Sequence, residues 1–223
     1  MSDIAKLRAA DSQPVLDCLE KIDTASRHLA ALVDDVLDMS KIENDKLQLT
    51  PQIVSLHSII FSTLDILQPL AEKKGVLLQR KVNVADCSVY ADSRRLQQIM
   101  VNLGANAVKF TAKDKKVVLK CDMLEQDDES MLVRFVLEDE GIGIKESNRQ
   151  CIFEAFNQGG RSTDAFYGGT GLGLAISTQI MEQHNGDIHV QSQLGEGTTF
   201  TIRLPKTAIS SEQSPKLLIA EES

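Results

Sequence analysis

An α+β fold, a mixed sheet with helices on one face, follows from three features of the sequence. Strand-like alternation and helix-like periodicity are interspersed along the chain, several strands follow one another directly, and one very long helical pattern precedes them all.

The first element runs from Ser12 to about Leu47. Val15, Ile22, Leu29 and Val36 form one heptad row, Leu19 and Val33 the next, and Leu32 and Met39 widen the stripe. Ser12 and Pro14 suit a helix start. One helix cannot bury such a seam alone, so the pattern predicts a helical partner in a bundle or dimer. LQLTPQIV then reads as a short strand, and a capped helix is expected from Ser55 to a stop at Gly75. VLLQRKV and SVYAD alternate as strands, and Asp92 to Thr111 has helical spacing. Strands follow near 116–125 and 131–139. A polar, glycine-containing stretch fills 157–170. Helix returns from about Leu172 to His184, stopped by Asn185 and Gly186, and strands near 187–193 and 198–204 close the order. The tail from Thr207 to Ser214 reads as a linker, and SPKLLIAEES as an apolar strand-like run before two carboxylates.

Composition removes several function classes. A formal charge of -8 over 223 residues argues against a nucleic-acid binder or a binder of anionic membrane surfaces. Without Trp, and with two Tyr and seven Phe, stacking platforms for bases are not expected. Cys18, Cys87, Cys121 and Cys151 are dispersed, which predicts reduced thiols in a cytoplasmic domain rather than zinc or disulfides. No apolar run reaches the roughly 18 residues of a spanning helix, and no signal-peptide pattern opens the chain.

Four segments carry candidate chemistry: NLGANAVKFT, DEGIGI, IFEAFNQ and YGGTGLGL. In the first, Asn102, Asn106 and Lys109 share one helix face. An asparagine carbonyl suits Mg²⁺ and a lysine suits phosphate, although a solvated polar face would look the same. In the second, Asp139 ends a strand before Gly141 and Gly143. It reads either as an acidic turn or as a carboxylate accepting from an exocyclic amine beside a flat ring. The fourth offers backbone N–H groups and a helix N-terminus to phosphate oxygens, or else a flexible hinge. It is neither a Walker loop nor a protein-kinase glycine loop.

In this order the four segments resemble the N-box, first glycine box, F-box and second glycine box of sensor histidine kinases, within the GHKL group of ATPases. The resemblance extends from about Leu16 to Pro205. VLDMSKIENDKLQL is similar to the second helix of the dimerisation domain and its exit, and LGEGTTFTIRLP to the closing strands with a third glycine box. It implies a two-layer α/β sandwich of the GHKL (Bergerat) type over 49–206, preceded by partial dimerisation helices over 1–48. Over 207–223 it implies a linker and the first strand of a receiver domain, as in a hybrid kinase. The implied reaction moves the ATP γ-phosphoryl to a histidine and then to a receiver aspartate, in a homodimeric parent.

The same resemblance implies residue roles. Asn106 would coordinate Mg²⁺, with Asn102 catalytic beside it and Lys109 on phosphate oxygens. Asp139 would accept from the adenine amine, assisted through water by Thr198, while Gly141, Gly143 and Ile144 line the adenine pocket. Phe153 and Phe156 would brace a mobile lid over 157–170. Gly169, Thr170, Gly171, Leu172, Gly173 and Leu174 would wrap the triphosphate.

The chain departs from the family pattern in places. Ala155 replaces a usual proline, and Ala165 stands where a lid arginine is common, leaving Arg161 as the nearest lid cation. None of His28, His57, His184 or His189 lies in a motif like the phosphoacceptor S-H-E-[LIM]-R-T-P. The expectation is a fragment without its acceptor histidine, unable to autophosphorylate there. Two rivals follow: a nucleotide-gated pseudokinase, and a clamp ATPase of the gyrase or mismatch-repair kind. The clamp enzymes carry a glutamate base where this chain has Asn102.

Overall fold

The computed structural model describes residues 13–44, 47–82, 88–125, 131–157 and 170–206. The expected helix start at Ser12, most of the lid with Gly169 and Ala165, and the tail from Thr207 lie outside the described residues. Contacts divide the chain into two units, Met1–Leu47 and Gln48–Ser223.

The first unit holds α1, Gln13–Glu43. Its heptad row stays uncovered, with Ile22, Leu29 and Val36 all at least half exposed. The helix stops short of the expected Leu47 for a local reason. The Asn44 side chain donates to the Ser40 carbonyl at 2.7 Å, occupying a helix-end acceptor.

The second unit runs β1 (Gln52–Ser55), α2 (Leu56–Lys74), β2 (Leu77–Val82), β3 (Ser88–Ala91), α3 (Ser93–Phe110), β4 (Lys116–Glu125), β5 (Met131–Asp139), α4 (Gly173–Gln183), β6 (Asp187–Gln193) and β7 (Gly197–Lys206). Two single 3-10 turns, Glu146–Asn148 and Cys151–Phe153, separate β5 from α4. The main sheet has the order β2-β4-β5-β7-β6, with β2 parallel to β4 and the other pairs antiparallel. β1 and β3 pair separately. That small sheet is shorter than LQLTPQIV suggests. Pro51 has no N–H to give, and the Thr50 N–H goes to the Asp92 carboxylate at 3.0 Å. No described helix is long and apolar enough to cross a membrane.

Strand parity builds the two layers. Val117, Leu119 and Cys121 of β4, Val133, Phe135 and Leu137 of β5, and Phe200, Ile202 and Leu204 of β7 are all buried. Together with Leu67 of α2, Leu103 of α3 and Ile176 of α4 they form the core, each large side chain contributing about 1.5–3 kcal/mol. The opposite parity carries charge: Arg134 bonds Asp122 through two nitrogens, Arg203 bonds Asp187 at 2.8 Å, and Lys120 pairs with Glu138. Such part-exposed pairs contribute little stability, and they make most of that face polar among the described residues.

Two contacts fix the helices. A Cβ on Gly104 of α3 would stand 2.2 Å from Leu67 Cδ1, so a larger residue there would force the buried Leu67 side chain to shift. Asp92 caps α3 by accepting from the Arg95 N–H at 3.0 Å, and its other oxygen takes the Thr50 N–H and hydroxyl. Its own N–H donates to His184 Nε2 at 3.1 Å, which joins the end of α4 to the start of α3. Burial pushes the Asp92 carboxyl up. The Thr50 and Arg95 N–H groups, the Thr50 hydroxyl and His184 outweigh it and hold the group below the usual carboxylate range.

A depressed folded pKa stabilises above the unfolded value and is lost as pH falls through the folded one. Asp92→Ala should therefore cost about 1–2 kcal/mol at neutral pH. The gap to the wild type should close on acidification below about pH 4. Urea unfolding of both proteins at the two pH values measures this.

Candidate functional site

The inward parity of three strands ends in polar residues. β5 runs Val133, Phe135, Leu137, then Asp139; β7 begins at Thr198 before Phe200; β6 runs Ile188, Val190, then Ser192. Register places Asp139 opposite Thr198 and Thr198 opposite Ser192, making one polar rung across the sheet.

Asp139 is held by its own backbone surroundings. Gly141 N–H and Thr198 N–H donate to Oδ1 at 2.8 and 3.2 Å, and Oδ2 accepts from no described residue. Burial raises the carboxyl above the usual range, and the two N–H bonds only partly oppose that. A half-buried acceptor with no cation beside it among the described residues suits a neutral donor such as an amine.

The rung continues through Ser192. Its Oγ donates to the Gly197 carbonyl at 2.7 Å, accepts from Ile144 N–H at 2.8 Å, and lies 3.0 Å from Thr198 Oγ1. Thr198 itself is buried. Gly143 has a φ of 69°, and a Cβ there would strike the Gln193 carbonyl, so the turn after β5 lies directly against the end of β6. Ile142 N–H donates to the Phe110 carbonyl at 3.2 Å, which brings the end of α3 to the same place.

On α3, Asn106 is half-buried, and its amide has no hydrogen-bond partner among the described residues. Lys109 stands near Lys74, whose ammonium caps the helix by donating to the Val108 carbonyl at 3.0 Å and to the Lys109 carbonyl. Burial first, then the Lys74 charge, hold Lys109 below the usual lysine range. Two ammonium groups at one helix end make a spot that favours an anion.

Asn102 faces α4 rather than open space. Its Nδ2 donates to Ser177 Oγ at 3.0 Å, and a Cβ on Gly173 would stand 2.4 Å from its Oδ1. The α4 start has no side-chain cap, while Thr170 Oγ1 accepts from Leu172 N–H at 3.0 Å. Leu172 is buried in the core, so only its backbone faces the site. Half-buried Leu174 follows it on the first turn. Phe156 N–H donates to the Gly171 carbonyl at 3.0 Å and ties the F-box segment to the glycines, with Phe156 itself 69% exposed and Phe153 half-buried. Among the described residues no cluster of His, Cys, Asp or Glu could hold a metal.

The structure thus gathers the end of α3, the Asp139 turn, Thr198 and the start of α4 into one site. Sequence reasoning missed Ser192, Ser177 and Lys74. The two serines did leave a signal, since each is a polar residue on an otherwise apolar face of its strand or helix.

Similar proteins match over most of the chain. The chain is 37% identical over 203 residues to the sensor histidine kinase GacS of Pseudomonas protegens, covering 90% of this chain and 22% of that protein. It is 36% identical over 200 residues to the circadian input-output histidine kinase CikA of Synechococcus elongatus, covering 89% and 26%. The crystal structure of full-length ShkA in complex with AMPPNP superposes with a TM-score of 0.75 at 29% identity, over 92% of this chain and 42% of that one. The chain therefore spans about a quarter of the length of these curated relatives. Residues 91–208 match the family described as histidine kinase-, DNA gyrase B-, and HSP90-like ATPase, and with α3, the Asp139 turn, α4 and the closing strands all inside that match, the chain belongs to this family.

Proposed function

We propose that this chain is the ATP-binding catalytic part of a two-component sensor histidine kinase. Its parent would pass the ATP γ-phosphoryl to a histidine and then to a receiver aspartate, on its own chain or on a response regulator. The observation that carries this reading is the Asp139 carboxylate, fixed on one oxygen and open on the other at the end of a polar rung. The adenine amine donates to Oδ2. Asn106 would supply an oxygen to Mg²⁺, which would neutralise phosphate charge. Lys109 neutralises phosphate charge, and the uncapped start of α4 gives N–H groups to phosphate oxygens. Asn102 positions α4 through Ser177. An amide bonded in this way does not act as the hydrolytic base of a clamp ATPase.

The uncovered heptad row of α1 pairs with a second helix in the homodimeric parent. With α1 the one helix described in the first unit, the 223-residue chain should dimerise weakly through this row. Leu29→Asp should abolish that association and leave the unfolding of the second unit unchanged. Sedimentation across a concentration series measures it, and a tight dimer at nanomolar concentration would contradict it.

Asp139→Asn separates binding from folding. A raised folded pKa means the native state holds the proton more tightly, so stability falls as pH rises from the ordinary carboxylate range through the raised value. The amide still accepts from Gly141 and Thr198, so the variant should be at least as stable as wild type at neutral pH. Its ADP affinity should nevertheless fall by about tenfold or more, since a donor now meets the adenine amine. Wild-type affinity should also weaken on acidification already above the usual carboxylate range, a step the variant lacks. Calorimetry with ADP and Mg²⁺ across pH tests both; equal affinities would remove Asp139 from the base site.

Gly173→Ala should push the Asn102 amide off Ser177 and weaken ATP binding. Asn102→Ala in the same chain should add little further loss, because the contact is already broken. Additive losses would show that the two residues act separately.

A further inference from the structure

The polar rung contains one hydroxyl whose role is set by counting protons. Ser192 Oγ has a single hydrogen and two lone pairs. The hydrogen lies on the Gly197 carbonyl at 2.7 Å, and one lone pair takes the Ile144 N–H at 2.8 Å. The remaining contact, 3.0 Å to Thr198 Oγ1, then has only one polarity: Thr198 donates and Ser192 accepts. Thr198 has no second hydroxyl proton, so its oxygen is left as an acceptor on the residue opposite Asp139.

We propose that Ser192 is a positioning residue that fixes Thr198 as an acceptor, so that the pocket selects purines with a 6-amino group over those with a 6-oxo group. The proposal rests on the assignment of Asp139 and Thr198 to the base. Two acceptors on one rung reward an amine, directly or through one water. They repel a 6-oxo oxygen unless the Thr198 hydroxyl can turn and donate to it. Ser192 removes that freedom. It also pins the turn at Ile144 to β6, a structural role that would act on every base alike, and this difference makes the two roles separable.

The test is calorimetry on the full chain with ADP and with inosine diphosphate, each with Mg²⁺. Ser192→Ala frees the Thr198 proton, so the preference for ADP over inosine diphosphate should narrow by about tenfold. Ser192→Thr keeps a hydroxyl and should restore most of the preference. In Thr198→Val the preference should already be reduced, and adding Ser192→Ala should narrow it no further. An equal loss of both ligands in Ser192→Ala would overturn the proposal and leave Ser192 as a pin for Ile144. Further narrowing in the double variant would overturn it as well. Should Ser192→Ala fail to fold, Ser192→Cys keeps the shape with a poor acceptor, and a wild-type preference there would overturn the proposal. A wild-type chain that binds both ligands equally would instead bring down the base assignment of Asp139, whereas a preference that survives every Ser192 change brings down the relay alone.

Discussion

The site depends on the register between β5 and β7. Because Asp139 lies opposite Thr198 with inward parity, the carboxylate enters the sandwich at the edge of its core instead of facing water. A slip of one residue would turn one strand over against the other, putting Asp139 with Phe135 on the opposite face from Thr198, Phe200 and Ile202. The apolar rows that stabilise the sheet therefore also hold Asp139 and Thr198 in place. The core positions the site, and no separate scaffold is needed.

That arrangement carries a local cost. A half-buried carboxylate with no cation beside it among the described residues destabilises the fold, and two backbone N–H groups on one oxygen offset only part of it. Asp92 shows the contrast. It is also buried, but its four contacts with Thr50, Arg95 and His184 leave it below the usual range, as a structural cap should be. The two aspartates are equally acidic in sequence. Their environments push them in opposite directions, and the one left short of partners is the one we propose for the adenine amine.

Much of this was legible before the structure. Parity alone places β4 to β7, and capping residues place α2 and α3 within one or two positions. The β1–β3 pair was not legible, because it depends on Pro51 lacking a donor and on a carboxylate 42 residues away taking the Thr50 N–H. Ser192 and Ser177 were missed for a related reason. Each interrupts an apolar face, which is visible locally, but what it bonds is fixed by a cross-strand register or by α3 meeting α4, 75 residues apart for Asn102 and Ser177. The four boxes were readable because each is contiguous. The contacts that connect them are not.

The glycines between Tyr167 and Ser177 show how one sequence signal divides into separate constraints. Gly171 has a φ of 69°, left-handed backbone that costs other residues roughly 1–2 kcal/mol, and its carbonyl receives the Phe156 N–H. Gly173 has ordinary helical backbone, so its reason is space: Asn102 lies where a side chain would begin. Conformation sets one position and packing the other, two residues apart. Both act on the same element, since the first aims the chain into α4 and the second lets α3 approach its first turn. A phosphate reading of this cluster needs α4 to start close to α3 with its N–H groups uncapped. Those two glycines, with no side-chain cap at Leu172, are what produce that start.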